Sequence, residues 1–164
     1  MNKILYREQD GVQILKFIGE VRVTLGPTIS SFLQSLRRKD YLESMIIDLS
    51  RTEMIDSTAL GLIAKIGIFT REQFGVLTTI VSPRQDITRV LGSMSMEKVC
   101  FVSNEWVTDS GSLEELNQES LNDEKMRAQV LEAHKTLMML DNQNFDKFQD
   151  LVKSLESEQE FEAL

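Results

Sequence analysis

Apolar residues follow two different spacings in the first part of the chain. Some segments are short and almost continuously apolar, which is typical of strands covered on most of both faces. They are "VQILKFIG" (12–19), "SMIIDLS" (44–50), "GVLTTIVS" (75–82) and a last one around 99–102. Others repeat apolar residues every three or four positions, as amphipathic helices do. They are "GPTISSFLQSLRRK" (26–39), a segment beginning at Ser57, and a short one through Ile87, Val90 and Leu91. The alternation predicts an α/β sheet.

After Ser103 the spacing is helical throughout. Ser112 and Glu115 have capping-box spacing ahead of Leu116, which predicts a helix start. Two apolar stripes then predict two amphipathic helices joined by the polar turn "DNQN" (141–144), which is an all-α hairpin. The first stripe is Met126, Val130, Ala133, Leu137 and either Met138 or Leu140; the second is Phe145, Phe148, Val152 and Leu155.

Charge divides the chain at about the same point. The net charge of −8 argues against a nucleic-acid partner. Residues 1–103 contain 13 basic and 11 acidic side chains, whereas residues 104–164 contain 5 and 15. We therefore predict a globular domain at 1–103 and an acidic helical extension at 104–164.

The sequence contains neither a signal peptide nor an apolar segment long enough to cross a bilayer. We therefore expect a cytoplasmic protein without a membrane partner. The single cysteine, Cys100, lies in the apolar segment "KVCFVS", where core packing explains it better than reactivity.

Groups typical of enzyme active sites are scarce. His134 is the only histidine, and no second histidine or cysteine lies near it in sequence, which disfavours a zinc site or a Ser-His nucleophile. We expect it to be a surface or interface residue. The spacing of Gly61 and Gly67 does not form a phosphate-binding loop, and Gly61 is better explained by close packing. The sequence predicts no catalytic residue, no metal and no cofactor.

Asp56, Ser57 and Thr58 stand where a strand is predicted to turn into a helix. Their side-chain oxygens suit a helix N-cap, because they accept hydrogen bonds from backbone N–H groups that have no other partner. The alternative is that one hydroxyl is displayed at the helix start for chemical modification. The pattern alone leaves both interpretations open.

The segment "IDLSRTEMIDSTALGLI" (47–63) closely resembles the signature of the STAS domain of bacterial anti-sigma factor antagonists. "FIGEVRVTLGP" (17–27) and "ITRVLGSMSMEKVCFV" (87–102) agree with it. The resemblance covers roughly residues 1–103 and implies a mixed sheet with alternating helices. With its helical extension, the chain resembles partner-switching regulators of biofilm, motility or stress in gammaproteobacteria.

This resemblance implies a phosphorylation switch rather than an enzyme. Ser57 matches the serine that a partner kinase, often the anti-sigma factor itself, phosphorylates and a PP2C-type phosphatase dephosphorylates. Asp56 matches the neighbouring acid and Gly61 a packing glycine, while Ala59 and Arg22 depart from the usual residues. The expected partner-binding residues are Glu20, Arg22, Asp56, Ser57, Thr58 and Gly61.

Three functions are compatible with these features. The favoured one is an antagonist that binds an anti-sigma factor or switch kinase when unphosphorylated and is released when Ser57 is phosphorylated. A second is a phospho-regulated module with a non-sigma target, such as a signalling enzyme. A third is a small-molecule or lipid-binding domain in which Ser57 is only a cap. The extension is expected either to buttress the domain or to bind a second partner regardless of the state of Ser57.

Overall fold

The computed structural model describes residues 1–105 and 112–163. Within these residues, strands and helices alternate and two helices follow at the C-terminal end. The elements are β1 (Lys3–Gln9), β2 (Val12–Val21), a 3-10 turn (Val23–Leu25), α1 (Gly26–Arg37), β3 (Ser44–Ile55), α2 (Ser57–Phe74), β4 (Thr78–Val81), α3 (Gln85–Ser93), a 3-10 turn (Met96–Lys98), β5 (Cys100–Ser103), β6 (Glu114–Glu115), α4 (Asp123–Met138) and α5 (Asn142–Ala163).

The strands form a mixed sheet in the order β5-β4-β3-β2-β1-β6. Strands β2 to β5 run parallel, whereas β1 is antiparallel to both of its neighbours. The pattern of apolar residues did not predict β1. It pairs with β2 through a turn at Asp10 and Gly11, both at positive φ, a backbone conformation that favours short polar residues and glycine. The predicted mixed sheet with alternating helices is confirmed.

A single core joins the strands to α1, α2 and α3. Leu15, Phe17, Ile47 and Leu49 are fully buried on β2 and β3. Helix α2 contributes small as well as branched apolar residues, including Ala59, Leu60, Ile63, Ala64 and Ile66, each at most 1% exposed. The first turn of this central helix lies directly after the end of β3.

Strand β3 is longer than predicted. It continues through the polar residues after Ser50 to Ile55. Arg51 and Glu53 are exposed, while Thr52 is fully buried and donates a hydrogen bond from Oγ1 to the carbonyl oxygen of Phe17 at 3.0 Å. A buried polar side chain with a partner is tolerated inside a sheet, so the polar residues do not end the strand.

The helix predicted from Ser112 does not form. Glu114 and Glu115 instead pair as β6 with Tyr6 and Leu5 of β1. The backbone N–H of Leu116 donates to the carbonyl oxygen of Ile4 at 2.9 Å. The extended backbone satisfies hydrogen-bonding groups at the edge of β1, a long-range gain that the local capping pattern does not reveal.

The two predicted C-terminal helices are present and pack on the sheet domain. Helix α4 lies against α2, and α5 lies against α4. Ala133, Leu137 and Phe148 belong to the same core as the sheet. The polar turn predicted at 141–144 is mostly helical, because α5 already begins at Asn142. The Asp141 carboxylate accepts a hydrogen bond from the backbone N–H of Asn144 at 2.8 Å.

Part of the second apolar stripe does not face the core. Phe148 and Val152 are buried, but Phe145 is 47% exposed.

Among the helices described, none combines the length and the apolar character needed to span a membrane.

Candidate functional site

Asp56 joins the start of α2 to the segment that follows β2. It is the N-cap of α2, and its Oδ1 accepts a hydrogen bond from the backbone N–H of Ala59 at 2.9 Å. Its Oδ2 accepts from the backbone N–H of Val23 at 2.7 Å, and its own N–H donates to the carbonyl oxygen of Val21 at 3.0 Å. The carboxylate therefore caps the helix and also positions the loop that carries Arg22.

Ser57 is the first residue of α2, and its hydroxyl is bound by the C-terminal hairpin. Ser57 Oγ lies 2.8 Å from Nε2 of His134 on α4. His134 Nδ1 lies 2.7 Å from the carbonyl oxygen of Val130. A carbonyl oxygen can only accept, so Nδ1 carries a hydrogen, and in the neutral ring Nε2 accepts the hydrogen bond that the Ser57 hydroxyl donates.

His134 is buried at the interface between α2 and α4. It is 2% exposed, and its ring meets that of Phe148 edge to face at a centroid distance of 4.9 Å. The prediction of a surface or interface residue is therefore right as to the interface. The sequence did not reveal its hydrogen bond to Ser57, because folding brings together residues 77 positions apart.

The sequence contains only a weak signal for this contact. Position 134 follows Val130 by four residues and precedes Leu137 by three, so it lies on the apolar side of α4. A histidine on such a face needs a polar partner when it is buried.

The imidazole of His134 is enclosed between α2 and the two helices of the hairpin. A substrate could therefore not reach Nε2 while α4 is packed on α2.

Glu20 and Arg22 form an exposed ion pair beside the Asp56 cap. Arg22 Nε lies 2.9 Å from Glu20 Oε2. The hydrogen bond between them lowers the pKa of the Glu20 carboxyl and raises the pKa of the Arg22 guanidinium. The attraction of their charges is a second, smaller cause of both shifts. The charge of Asp56 also contributes to the raised pKa of Arg22. The structure thus brings together four expected partner-binding residues, Glu20, Arg22, Asp56 and Ser57.

The other two expected residues are not available on the surface. Thr58 is 6% exposed. Gly61 faces the backbone of α4, and a Cβ added at this position would lie 2.8 Å from Ala133 Cα and closer still to its carbonyl oxygen. Close approach to the sheet domain occurs instead at Gly67, where an added Cβ would lie 2.7 Å from Cys100 Sγ. Gly61 could meet a partner only if α4 moved.

In the described part of the chain, no group of three or more histidine, cysteine, aspartate or glutamate side chains is arranged to hold a metal ion. The chemistry that the site offers is that of a hydroxyl at a helix N-terminus. Backbone N–H groups and the helix dipole at this position favour an anion, so a phosphoryl group on Ser57 is compatible with a folded α2.

Comparison with known proteins gives the family. The STAS domain family model matches residues 3–107. No curated protein matches the sequence. A solved structure from Shewanella loihica PV-4, described as an uncharacterized protein from the DUF3478 family with a SpoIIAA-like fold, is 14% identical to this chain. That match covers 67% of this chain and 90% of the other, with a TM-score of 0.44. Because the family model spans more than half of the sequence, the chain belongs to the STAS domain family.

Proposed function

We propose that this protein is an anti-sigma factor antagonist in a cytoplasmic partner-switching pathway. In its unphosphorylated form it binds an anti-sigma factor or switch kinase, and phosphorylation of Ser57 releases that partner. A PP2C-type phosphatase would restore the unmodified form. Its role is binding rather than catalysis, in keeping with a STAS domain.

The position of Ser57 is the observation that carries this proposal. The hydroxyl lies at the N-terminus of α2, half-buried and next to Asp56. The Asp56 carboxylate accepts a hydrogen bond from the backbone N–H of Val23. Arg22, the residue before Val23, forms the exposed ion pair with Glu20. A partner that contacts Glu20 and Arg22 would therefore lie beside the hydroxyl that is modified.

Electrostatics provides the switch. At an effective dielectric of about 20, a negative charge about 6 Å from a partner carboxylate costs roughly 3 kcal/mol before screening. A phosphoserine adds nearly two such charges. Because about 1.4 kcal/mol is a tenfold change in affinity, one modification is enough to release a partner. The same charge at the N-terminus of α2 is tolerated by the helix.

Phosphate mapping tests the acceptor. The purified chain is incubated with ATP and a lysate of the cells that produce it, and the phosphate is located by mass spectrometry. We expect phosphate at Ser57, its loss in Ser57→Ala, and its retention in Thr58→Val, because Thr58 is buried. Equal labelling of Ser57→Ala and the unchanged chain would contradict the assignment.

The identity of the partner distinguishes the two regulatory functions. The unphosphorylated chain is used to capture proteins from the same lysate, with the Ser57→Asp variant as the comparison. Capture of an anti-sigma factor or a serine kinase by the unphosphorylated chain alone would support the antagonist role. Capture of a signalling enzyme in its place would favour the non-sigma alternative. If the unchanged chain is not phosphorylated and captures no protein, Ser57 acts only as a helix-start residue.

A further inference from the structure

The hairpin of α4 and α5 touches the candidate phosphorylation site itself. We propose that this hairpin reads the state of Ser57: it is docked on α2 while the hydroxyl is free, and phosphorylation of Ser57 releases it. The inference rests on the proposed function, in which Ser57 accepts the phosphoryl group. It revises the expectation that the extension acts regardless of the state of Ser57.

The first step of the argument is the space around the hydroxyl. Ser57 Oγ and His134 Nε2 are 2.8 Å apart, which is a normal hydrogen-bond distance and leaves no room for a phosphoryl group between them. A modified Ser57 must therefore rotate away from the ring, or the ring must move away from Ser57. Rotation leaves the buried Nε2 without its partner, which weakens docking.

The ring does not move independently of its helix. Its Nδ1 is bonded to the carbonyl oxygen of Val130 in the preceding turn of α4, at 2.7 Å. Its edge packs on the Phe148 ring of α5. Displacement of the imidazole therefore disturbs both helices of the hairpin.

Close to Ser57, the interface leaves α4 no space to move nearer to α2. One turn beyond Ser57, Gly61 lies against the backbone of Ala133. Backbone in contact with backbone cannot approach further, because neither side has a side chain that could change its rotamer. If the imidazole moves to make room for a larger group at Ser57, α4 must therefore move away from α2.

Charge acts in the same direction. The hairpin, residues 123–163, contains ten acidic and five basic side chains. A phosphate dianion on α2 would repel this acidic hairpin, to an extent that depends on salt. The coupling is reciprocal in free energy, so docking of the hairpin also makes the phosphorylated form of Ser57 less favourable.

The test uses the full chain with phosphoserine introduced at position 57 during translation, so it does not depend on the natural kinase. Hydrogen exchange of the α4 amides is compared with that of the unmodified chain. We expect exchange in α4 to become at least about tenfold faster, while the amides of β2 and β3 are unchanged. Unchanged exchange in α4 would overturn the proposal. Slower exchange would overturn it too, because it would mean that the hairpin binds the phosphate.

His134 provides a second readout because it is the only histidine. Its modification by diethyl pyrocarbonate, followed by mass spectrometry, should be slow in the unmodified chain and at least about tenfold faster in the phosphorylated one. The Gly61→Ala variant should also react faster, because it separates the helices without changing the hydroxyl. Gly92→Ala is the matched control, since an added Cβ at Gly92 meets nothing within 4 Å, and it should react slowly.

Failure of the two proposals can be distinguished. If the cellular kinase modifies another residue, the proposed function fails, but the coupling between position 57 and the hairpin is still measured. If phosphate is found at Ser57 and the exchange of α4 is unchanged, the proposed function stands and only this inference is rejected.

Discussion

Gly61 of α2 lies directly against the backbone of Ala133 in α4. A Cβ at position 61 would be 2.8 Å from Ala133 Cα and would overlap the carbonyl oxygen. The absence of a side chain on one helix thus sets how closely the extension approaches the sheet domain, and this approach in turn brings His134 to Ser57.

Gly61→Ala should therefore destabilise the protein, by about 1–3 kcal/mol, because the overlap must be relieved by a shift of α4. The measurement is the free energy of unfolding in urea. Gly92→Ala, in the open part of α3, should change stability by less than about 1 kcal/mol and in the stabilising direction. Equal effects of the two variants would mean that the close contact does not limit packing.

Ser57→Ala should lower the free energy of unfolding by about 1–2 kcal/mol, because it leaves a buried nitrogen of His134 without its hydrogen bond. A serine on the exposed side of α1, Ser31, is the control, and Ser31→Ala should stay within about 0.5 kcal/mol of the unchanged chain. The comparison is made by urea unfolding at neutral pH. A loss no greater than that of Ser31→Ala would show that the contact does not contribute to docking.

Asp56→Ala should cost more than the loss of an ordinary helix cap. Its carboxylate accepts from Ala59 and from Val23, so the variant loses the cap and the link to the loop after β2. We expect a loss of about 2–3 kcal/mol in the free energy of unfolding. Asn122 caps α4 with one bond, to Lys125 at 2.8 Å, so Asn122→Ala should cost about 1 kcal/mol. Equal costs would argue against a structural role for the Val23 bond.

Arg22→Asp should slow the association of the partner and leave the fold intact, because the side chain is exposed and paired only with the exposed Glu20 in the hydrogen bonds described. The effect should shrink as salt is raised, as expected of a charge at the rim of an interface. Association rates measured at low and moderate salt provide the check. Arg89→Asp on α3 makes the same change of charge at another exposed site, and it should have a smaller effect.

The Cys100 thiol should be unreactive in the folded protein. Burial raises its pKa to about 12, and the residue is 2% exposed beside Gly67. Because the thiolate is the reactive form, very little of it is present at pH 8. Alkylation by iodoacetamide, followed by mass spectrometry, should be slow in buffer and rapid in denaturing urea. Rapid alkylation of the native chain would show that β5 opens readily.

The spacing of apolar residues determined most of the sheet domain. Parallel strands covered on both faces have a distinctive apolar composition, and amphipathic helices have a distinctive period, so both could be recognised locally. The same holds for Asp56, since a helix cap depends on residues only three positions apart. The strand β1 was missed because its pattern is ambiguous, with only Ile4 fully buried among partly exposed neighbours.

Tertiary structure alone decided what the extension does at the site. The hydrogen bond between Ser57 and His134 joins residues 77 positions apart, and no local pattern specifies such a pair. The pairing of β6 with β1 likewise overrides a capping pattern at Ser112, because the open edge of β1 offers unpaired backbone groups to an extended segment. The sequence contained the serine, the glycine and the histidine, but only the packing of α4 on α2 brought the three to one place.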